Sequence, residues 1–277
     1  MKNFEPIIEV VDDGLIIPEV GSWSEIKLKL FGYYCDIFTT SMRNNWDYLI
    51  YIDLFSGTGY CKIRGSNKII MGSPLIALAI PIKFDKYIFC EKESKNFDSL
   101  SKRLKSNYHD NNYEIINGHC NSKINDIFSL IPKPSKTSTV LTFCFADPFS
   151  LNLHFKTIRK LSEKYVDFLI HISDMDAKLN RHNYLKDKSK KIELFLEQQS
   201  WRDSYKNNEN FLLFLYEEYT KNMKALNYHE PPNMPQIRSD QKNLGLYHLA
   251  FYSRSERGIE LWKKIQKYSI SQQSLGF

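Results

Sequence analysis

From residue 48 onward, short apolar runs alternate with amphipathic stretches. The runs Tyr48–Phe55, Tyr87–Glu91, Tyr113–Asn117, Val140–Ala146 and Val166–Ser173 have the length and the β-branched and aromatic content of buried strands. Between them, Pro74–Ala79, Ser94–Tyr108, Ser122–Leu130 and Phe155–Lys164 carry helical spacing. Strands alternating with helices predict an α/β protein with a parallel sheet covered on both faces.

The flanks follow other rules. Residues 1–21 read as an extended lead-in with the apolar pairs Ile7-Ile8, Val10-Val11 and Ile16-Ile17. Ser22-Trp23-Ser24-Glu25 fits a capping box, and Ile26, Leu30, Tyr33, Ile37 and Phe38 carry a helix to about Met42. Residues 178–206 are polar and contain the run Lys186-Asp187-Lys188-Ser189-Lys190-Lys191, an inserted helical segment or a loop. Phe211–Ala225 reads as a helix, with Phe211, Phe214, Leu215 and Tyr219 on one face. Met234–Arg238 and Leu244–Tyr252 predict two strands around the turn Ser239-Asp240-Gln241-Lys242, an antiparallel hairpin at the end of the sheet. Ile259–Lys267 closes as a helix. The expected organisation is one domain over 1–277. It comprises an N-terminal extension and helix (1–45), a core (46–175), a helical insertion (176–232) and a C-terminal hairpin and helix (233–277).

Composition narrows the class. A chain of 277 residues with 42% hydrophobic and 25% charged residues is no disordered tail, collagen-like repeat or disulfide miniprotein. No apolar run approaches the ~20 residues of a membrane helix. Met1–Glu9 mixes charge with proline, unlike a secretory h-region, so no membrane association is expected. Cys35, Cys61, Cys90, Cys120 and Cys144 form no zinc ribbon or CxxC motif and read as single buried thiols, which suits a reducing cytoplasm. The net charge of +6 favours an anionic partner, nucleic acid among them, although abundant Lys, Asn, Ile and Tyr also read as a compositional bias.

Candidate chemistry gathers at predicted C-terminal strand ends, where open α/β sheets bind ligands. Asp53-Leu54-Phe55-Ser56-Gly57-Thr58-Gly59 follows the first strand, and its two glycines permit a tight turn and close approach to a ligand. Residues 60–71 then intervene as a loop, either a lid or a surface excursion, before a helix at Gly72-Ser73-Pro74. Glu91 ends the second strand, where an acid is placed to accept from two ribose hydroxyls. His119, in Asn117-Gly118-His119-Cys120-Asn121, is placed to bond an adenine edge or is a plain turn residue. Asp147-Pro148-Phe149-Ser150 follows the fourth strand; an acceptor, a stiff turn and an aromatic suit an amino-group substrate. His171, Asp174, Asp176 and His182 match no metal spacing, and a Ser/His/Asp hydrolase would need a G-x-S-x-G elbow that the chain lacks.

Together these residues resemble the three-Cys-motif partner family, whose fold is that of class I S-adenosylmethionine-dependent methyltransferases. The resemblance runs through Trp23–Leu28, Tyr51–Gly59, Gly72–Leu78, Glu91-Lys92, Asp147-Pro148-Phe149 and Leu246–Leu249. Thr58, His119 and Ser150 stand where the family shows a proline, an acid and a glycine. The resemblance implies a Rossmann-like, mostly parallel seven-stranded sheet with a C-terminal antiparallel hairpin. It implies S-adenosylmethionine as cofactor, with Asp53, Gly57 and Gly59 lining its methionine end and Glu91 holding the ribose; Phe55, Ser56, Ser73 and His119 complete the candidate cofactor-binding set by their positions. Asp147, Pro148 and Phe149 are the implied catalytic residues, and no metal is implied. The implied partner is a three-Cys-motif protein, and the implied activity is methyl transfer to a nucleic-acid or other amine-bearing acceptor. Two other readings stand beside it: a weakly catalytic or inactive partner-binding module, and a nucleic-acid-binding protein. The sequence sets no oligomeric state.

Overall fold

The computed structural model describes residues 4–186, 189–205, 210–232, 236–238 and 245–273. The chain enters through β1 (Glu19–Val20) and α1 (Trp23–Met42). It continues through β2 (Tyr48–Asp53), β3 (Tyr60–Ile63), β4 (Ile69–Met71), α2 (Ser73–Ala79), β5 (Lys86–Glu91), α3 (Ser94–Asn107) and β6 (Tyr113–Asn117). Then come α4 (Ile124–Leu130), β7 (Val140–Ala146), α5 (Phe155–Leu161) and β8 (Val166–Ser173). Short helices α6 (Asp174–Leu179), α7 (Arg181–Leu185), α8 (Lys191–Leu196) and α9 (Trp201–Ser204) precede α10 (Phe211–Ala225). The chain ends with β9 (Gln236–Arg238), β10 (Gly245–Tyr252) and α11 (Glu256–Gln273).

Among the described residues the main sheet counts seven strands in the order β6-β5-β2-β7-β8-β10-β9. β2, β5, β6, β7 and β8 pair in parallel, while β10 runs antiparallel to β8 and to β9. That order, with its antiparallel end, is the class I methyltransferase fold. The expected hairpin is present as β9 and β10; its turn, 239–242, lies outside the described residues.

Period-2 alternation splits the core into two layers. Leu49 and Tyr51 of β2, Phe143 and Phe145 of β7 and Phe251 of β10 face α1, α2 and α11, with Phe31, Tyr34, Phe38 and Trp262 packed on them. Ile50 and Ile52 of β2, Cys144 of β7 and Phe168 and Ile170 of β8 face the opposite way. They meet Ile127 of α4, Ile158 of α5, Phe195 of α8 and Leu215 of α10. The described residues of the polar stretch 178–206 thus form short helices, and Tyr184, Ile192, Phe195, Leu196, Trp201 and Tyr205 are the apolar residues they bury. All five cysteines are buried and free.

Two local expectations are corrected. Residues 60–71 form no loop. β3 and β4 pair antiparallel, β3 pairs in parallel with β1, and Glu9 bridges Ile70, making a small sheet that buries Ile63 and Ile70. The capping box does not form either. Ser22 already has helical dihedrals (φ −53°, ψ −34°), which is not the extended geometry a capping side chain needs. Glu25 instead meets Lys68 Nζ at 2.8 Å and so clips α1 to the small sheet.

Candidate functional site

In the sheet order, the chain passes from β2 outward to β5 and β6, then returns to β7 on the other side of β2. The order therefore reverses at β2 and β7, and ligands of open α/β sheets bind at the carboxyl ends of such strands. Asp53, Glu91, Asn117, Asp147 and Ser173 all end, or directly follow, parallel strands on this one rim.

The turn after β2 is fixed from several sides. Gly57 and Gly59 have φ of +63° and +89°, a region that disfavours side chains. A Cβ on Gly57 would meet nothing within 4 Å, so the turn presents bare backbone to open space. A Cβ on Gly59 would press on Leu100 and Leu75 at 3.1 and 3.2 Å. The Ser56 N–H donates to the Cys90 carbonyl (3.0 Å) and the Gly72 N–H to the Gly59 carbonyl (2.7 Å). The turn is thus joined to the end of β5 and the start of α2.

Glu91 is 8% exposed. Its Oε2 accepts the Gly57 N–H at 2.8 Å, and its Oε1 accepts the Glu93 N–H at 2.8 Å. A carboxylate has about four acceptor positions, so Glu91 retains capacity for hydroxyl donors. Asp53 is placed differently. It is fully buried, and accepts from Tyr51 Oη (3.0 Å), Ser73 Oγ (2.6 Å) and the Phe55 N–H (3.2 Å). Burial pushes its carboxyl up to about 7, against the opposing pull of those hydrogen bonds. Asp53 and Ser73 therefore brace the turn from beneath, while Glu91 stands beside it. Buried Ser56 adds a second stitch, accepting the Cys90 N–H with its hydroxyl (3.2 Å). Half-buried Phe55 meets the His119 ring edge-on at 6.4 Å. His119 Nδ1 accepts the Asn121 N–H at 3.2 Å, and burial lowers its pKa, assisted by Lys92 and Lys191. A ring nitrogen that accepts carries no proton, so this hydrogen bond belongs to the neutral imidazole.

Beyond the end of β7, Asp147 is held by both oxygens. Its Oδ1 is 2.6 Å from His171 Nδ1, and its Oδ2 pairs with Lys27 Nζ. Burial alone would raise its pKa; the Lys27 charge and the His171 hydrogen bond outweigh that and hold the carboxyl well below the usual range. An ionised carboxylate only accepts, so His171 Nδ1 carries the proton. Pro148 is buried, and Phe149 stands out with 95% of its surface exposed.

These residues open onto a cleft of about 650 Å³. One wall is the N-terminal extension, with Pro18, Val20, Trp23 and Lys27; the other is Met175, Asp176 and Leu179 of α6. Phe149, Met175 and Leu179 make an exposed apolar rim. The acid and histidine set after β8 is dispersed. His171 joins Asp147, Asp174 is buried with Tyr216 and His248, and Asp176 bonds Asn180, Tyr184 and the Leu151 N–H. Among the described residues no cluster fit to hold a metal ion is found.

Lys27, His171 and the α6 wall were not assigned to the site from sequence. Lys27 lies 120 residues from Asp147, and no local pattern links them. The one available signal was Lys27 inside Trp23–Leu28, a stretch quoted for its family resemblance.

No protein-family model matches the chain, and no curated protein matches it in sequence. Solved structures do. Protein LPL1258 of Legionella pneumophila is similar with a TM-score of 0.47 and 12% identity, over 86% of this chain and 91% of that one. The M. jannaschii TYW2 complex with AdoMet gives a TM-score of 0.43 and 12% identity, over 92% and 90%. The P. horikoshii TYW2 complex with MeSAdo gives 0.45 and 12%, over 91% and 73%. At such values the fold assignment rests on the strand order itself.

Proposed function

We propose that the chain is an S-adenosylmethionine-dependent methyltransferase. The observation that carries this reading is the Glu91 carboxylate held against the Gly57 N–H, at the point where the strand order reverses. The residues fit the cofactor. Gly57 leaves open space at bare backbone, and Glu91 keeps acceptor capacity for ribose hydroxyls. Phe55 and neutral His119 offer flat, half-buried surfaces for the adenine. Asp53, Ser56 and Ser73 hold the turn in shape. When bound, the cofactor supplies a methyl group on a sulfonium.

The acceptor enters the cleft beside Asp147-Pro148-Phe149. Exposed Phe149 suits stacking on a flat, amine-bearing group, a nucleobase in the favoured case. Orientation at the cleft supplies most of the acceleration, because an amine attacks without prior deprotonation. Asp147 anchors Lys27 and His171 and thereby fixes the start of the Pro148–Phe149 turn. The family resemblance adds a three-Cys-motif protein as the working partner.

One observation favours a second reading, a partner-binding module with little catalysis: both Asp147 oxygens are already engaged, so an incoming amine must share them. Calorimetry with S-adenosylmethionine, followed by tritium transfer into host nucleic acid and co-purified protein, decides. Binding with transfer supports the enzyme, binding without transfer to any acceptor supports the module, and no binding removes both.

A further inference from the structure

Resting on that cofactor reading, we infer that the N-terminal strap, residues 10–18, is a working part of the cofactor turn, and that Arg103 is the positioning residue coupling them. Arg103 sits on α3 with 1% of its side chain exposed. Its Nη1 donates to the Thr58 carbonyl at 2.7 Å, between the two positive-φ glycines, and to the Ile16 carbonyl at 3.0 Å. Its Nε and Nη2 grip Asp13 at 2.8 and 2.6 Å, a bidentate fork of the strong, directional kind. The guanidinium lies 4.2 Å from the ring centre of Tyr60, the residue after the turn. One buried cation therefore ties the strap to the backbone of the turn and to the first residue of β3.

The strap is built for this hold. Gly14 has φ +73°, and the Gly14 and Leu15 N–H groups donate to the carboxylates of Asp12 and Asp13, which turns the Asp13 side chain inward. On one side the strap is anchored by the Val10 N–H on Ile69, and on the other by the Pro18 carbonyl on Lys62. Beyond Pro18 the same segment lines the acceptor cleft with Val20 and Gly21. The strap thus reaches the turn through Arg103 and the cleft through Pro18, and its docking and the shape of the turn form one unit. A lysine at 103 would keep the charge but could not serve Thr58, Ile16 and Asp13 from one plane.

Asp13→Asn tests the inference, because Asp13 grips the guanidinium that holds the Thr58 carbonyl, and itself lies at the surface. Hydrogen exchange on the ligand-free full chain should show faster exchange both in the strap and in peptides covering Gly57–Tyr60. S-adenosylmethionine should bind roughly tenfold more weakly, the scale of a weakened charge-assisted hydrogen bond. The unfolding midpoint should move little, and turnover at saturating cofactor should hold, with KM for cofactor raised. Arg103→Lys should give the same pattern more strongly. Unchanged exchange at Gly57–Tyr60 in both variants would overturn the coupling. Wild-type binding that the variants match would overturn the cofactor role. A wild-type chain that binds no S-adenosylmethionine would sink the enzyme reading and the cofactor role with it, while the exchange data would still decide the coupling.

Discussion

The Glu91 carboxylate accepts the backbone N–H of Gly57 at 2.8 Å, so the end of β5 and the turn after β2 move as one piece. The side chain proposed to receive the ribose is also the side chain that shapes the turn. Both roles depend on carboxylate oxygens held in that alignment.

Glu91→Ala is therefore expected to lose about 1–3 kcal/mol of S-adenosylmethionine affinity, the scale of lost hydrogen bonds to a charged group. Glu91→Gln should lose less, because its amide oxygen can still accept the Gly57 N–H. Calorimetry on folded variants checks this; equal affinity in wild type and Glu91→Ala would remove the ribose assignment.

The two turn glycines should respond differently to alanine. At Gly57 the added methyl points into open space, so Gly57→Ala should fold, with a cost of about 1 kcal/mol for the left-handed backbone. Its methyl would then occupy the cofactor's approach and abolish measurable binding. At Gly59 the methyl meets Leu100 and Leu75 at 3.1 and 3.2 Å on a φ of +89°, so Gly59→Ala should destabilise by about 2–3 kcal/mol. Denaturation midpoints and calorimetry together separate the two. A Gly57→Ala protein that binds normally would refute the placement of the cofactor.

The parallel sheet was legible because its strands announce themselves locally. Val140–Ala146 and Val166–Ser173 are dense, fully buried runs, Tyr113–Asn117 is a half-exposed edge strand of alternating residues, and the expected limits of all three are the observed ones. The small sheet was not, because β3 and β4 are short and sit among polar residues. Their third strand, β1, has two residues and comes from some 40 positions upstream. In the site, residues at strand ends were legible from position alone. The orientation of each was not: Asp53 and Glu91 both end strands, yet Tyr51 and Ser73 draw one beneath the turn while Gly57 holds the other beside it. Lys27 was invisible as an Asp147 partner because only tertiary packing of α1 brings it there.

Two buried carboxyls set a pH dependence. Burial raises Asp53 and Asp167 to about 7 in the folded chain, above the ~3.9 of an exposed aspartate. Between those values the unfolded chain has released the proton that the folded chain keeps. The stability each contributes is whole below about pH 4 and falls as pH rises through 7, with a limiting slope of about 1.4 kcal/mol per pH unit per group. Asp147 and Asp13 have the opposite sign, with lowered pKa values, and lose their contribution only in stronger acid. Urea denaturation between pH 5 and 8 should thus show a falling component that Asp167→Asn, remote from the glycine turn, makes shallower. An identical slope in that variant would show that Asp167 ionises normally.

Lys27 and Phe149 should separate scaffold from acceptor site. Phe149 is 95% exposed, so Phe149→Ala should change stability by no more than about 0.5 kcal/mol. If the acceptor stacks there, the same variant should lose about 1–3 kcal/mol of acceptor binding. The effect should appear in KM for the acceptor, with cofactor affinity untouched. Lys27 is different in kind. Its side chain and that of Asp147 are 12% and 19% exposed, so Lys27→Met strands a largely buried carboxylate and should cost about 1–3 kcal/mol, short of the full penalty of a dry interior. Asp147→Asn should likewise weaken the fold and slow transfer by roughly tenfold, because the Lys27 and His171 contacts lose their charged acceptor. The double variant Lys27→Met with Asp147→Asn should be less unstable than the sum of the two, since neither charge is then left without the other. A denaturation cycle over the four proteins reads that coupling, and tritium transfer reads the chemistry. Additive costs would mean that the ion pair contributes nothing to the fold. Transfer unaffected by both Phe149→Ala and Asp147→Asn would place the acceptor outside this cleft.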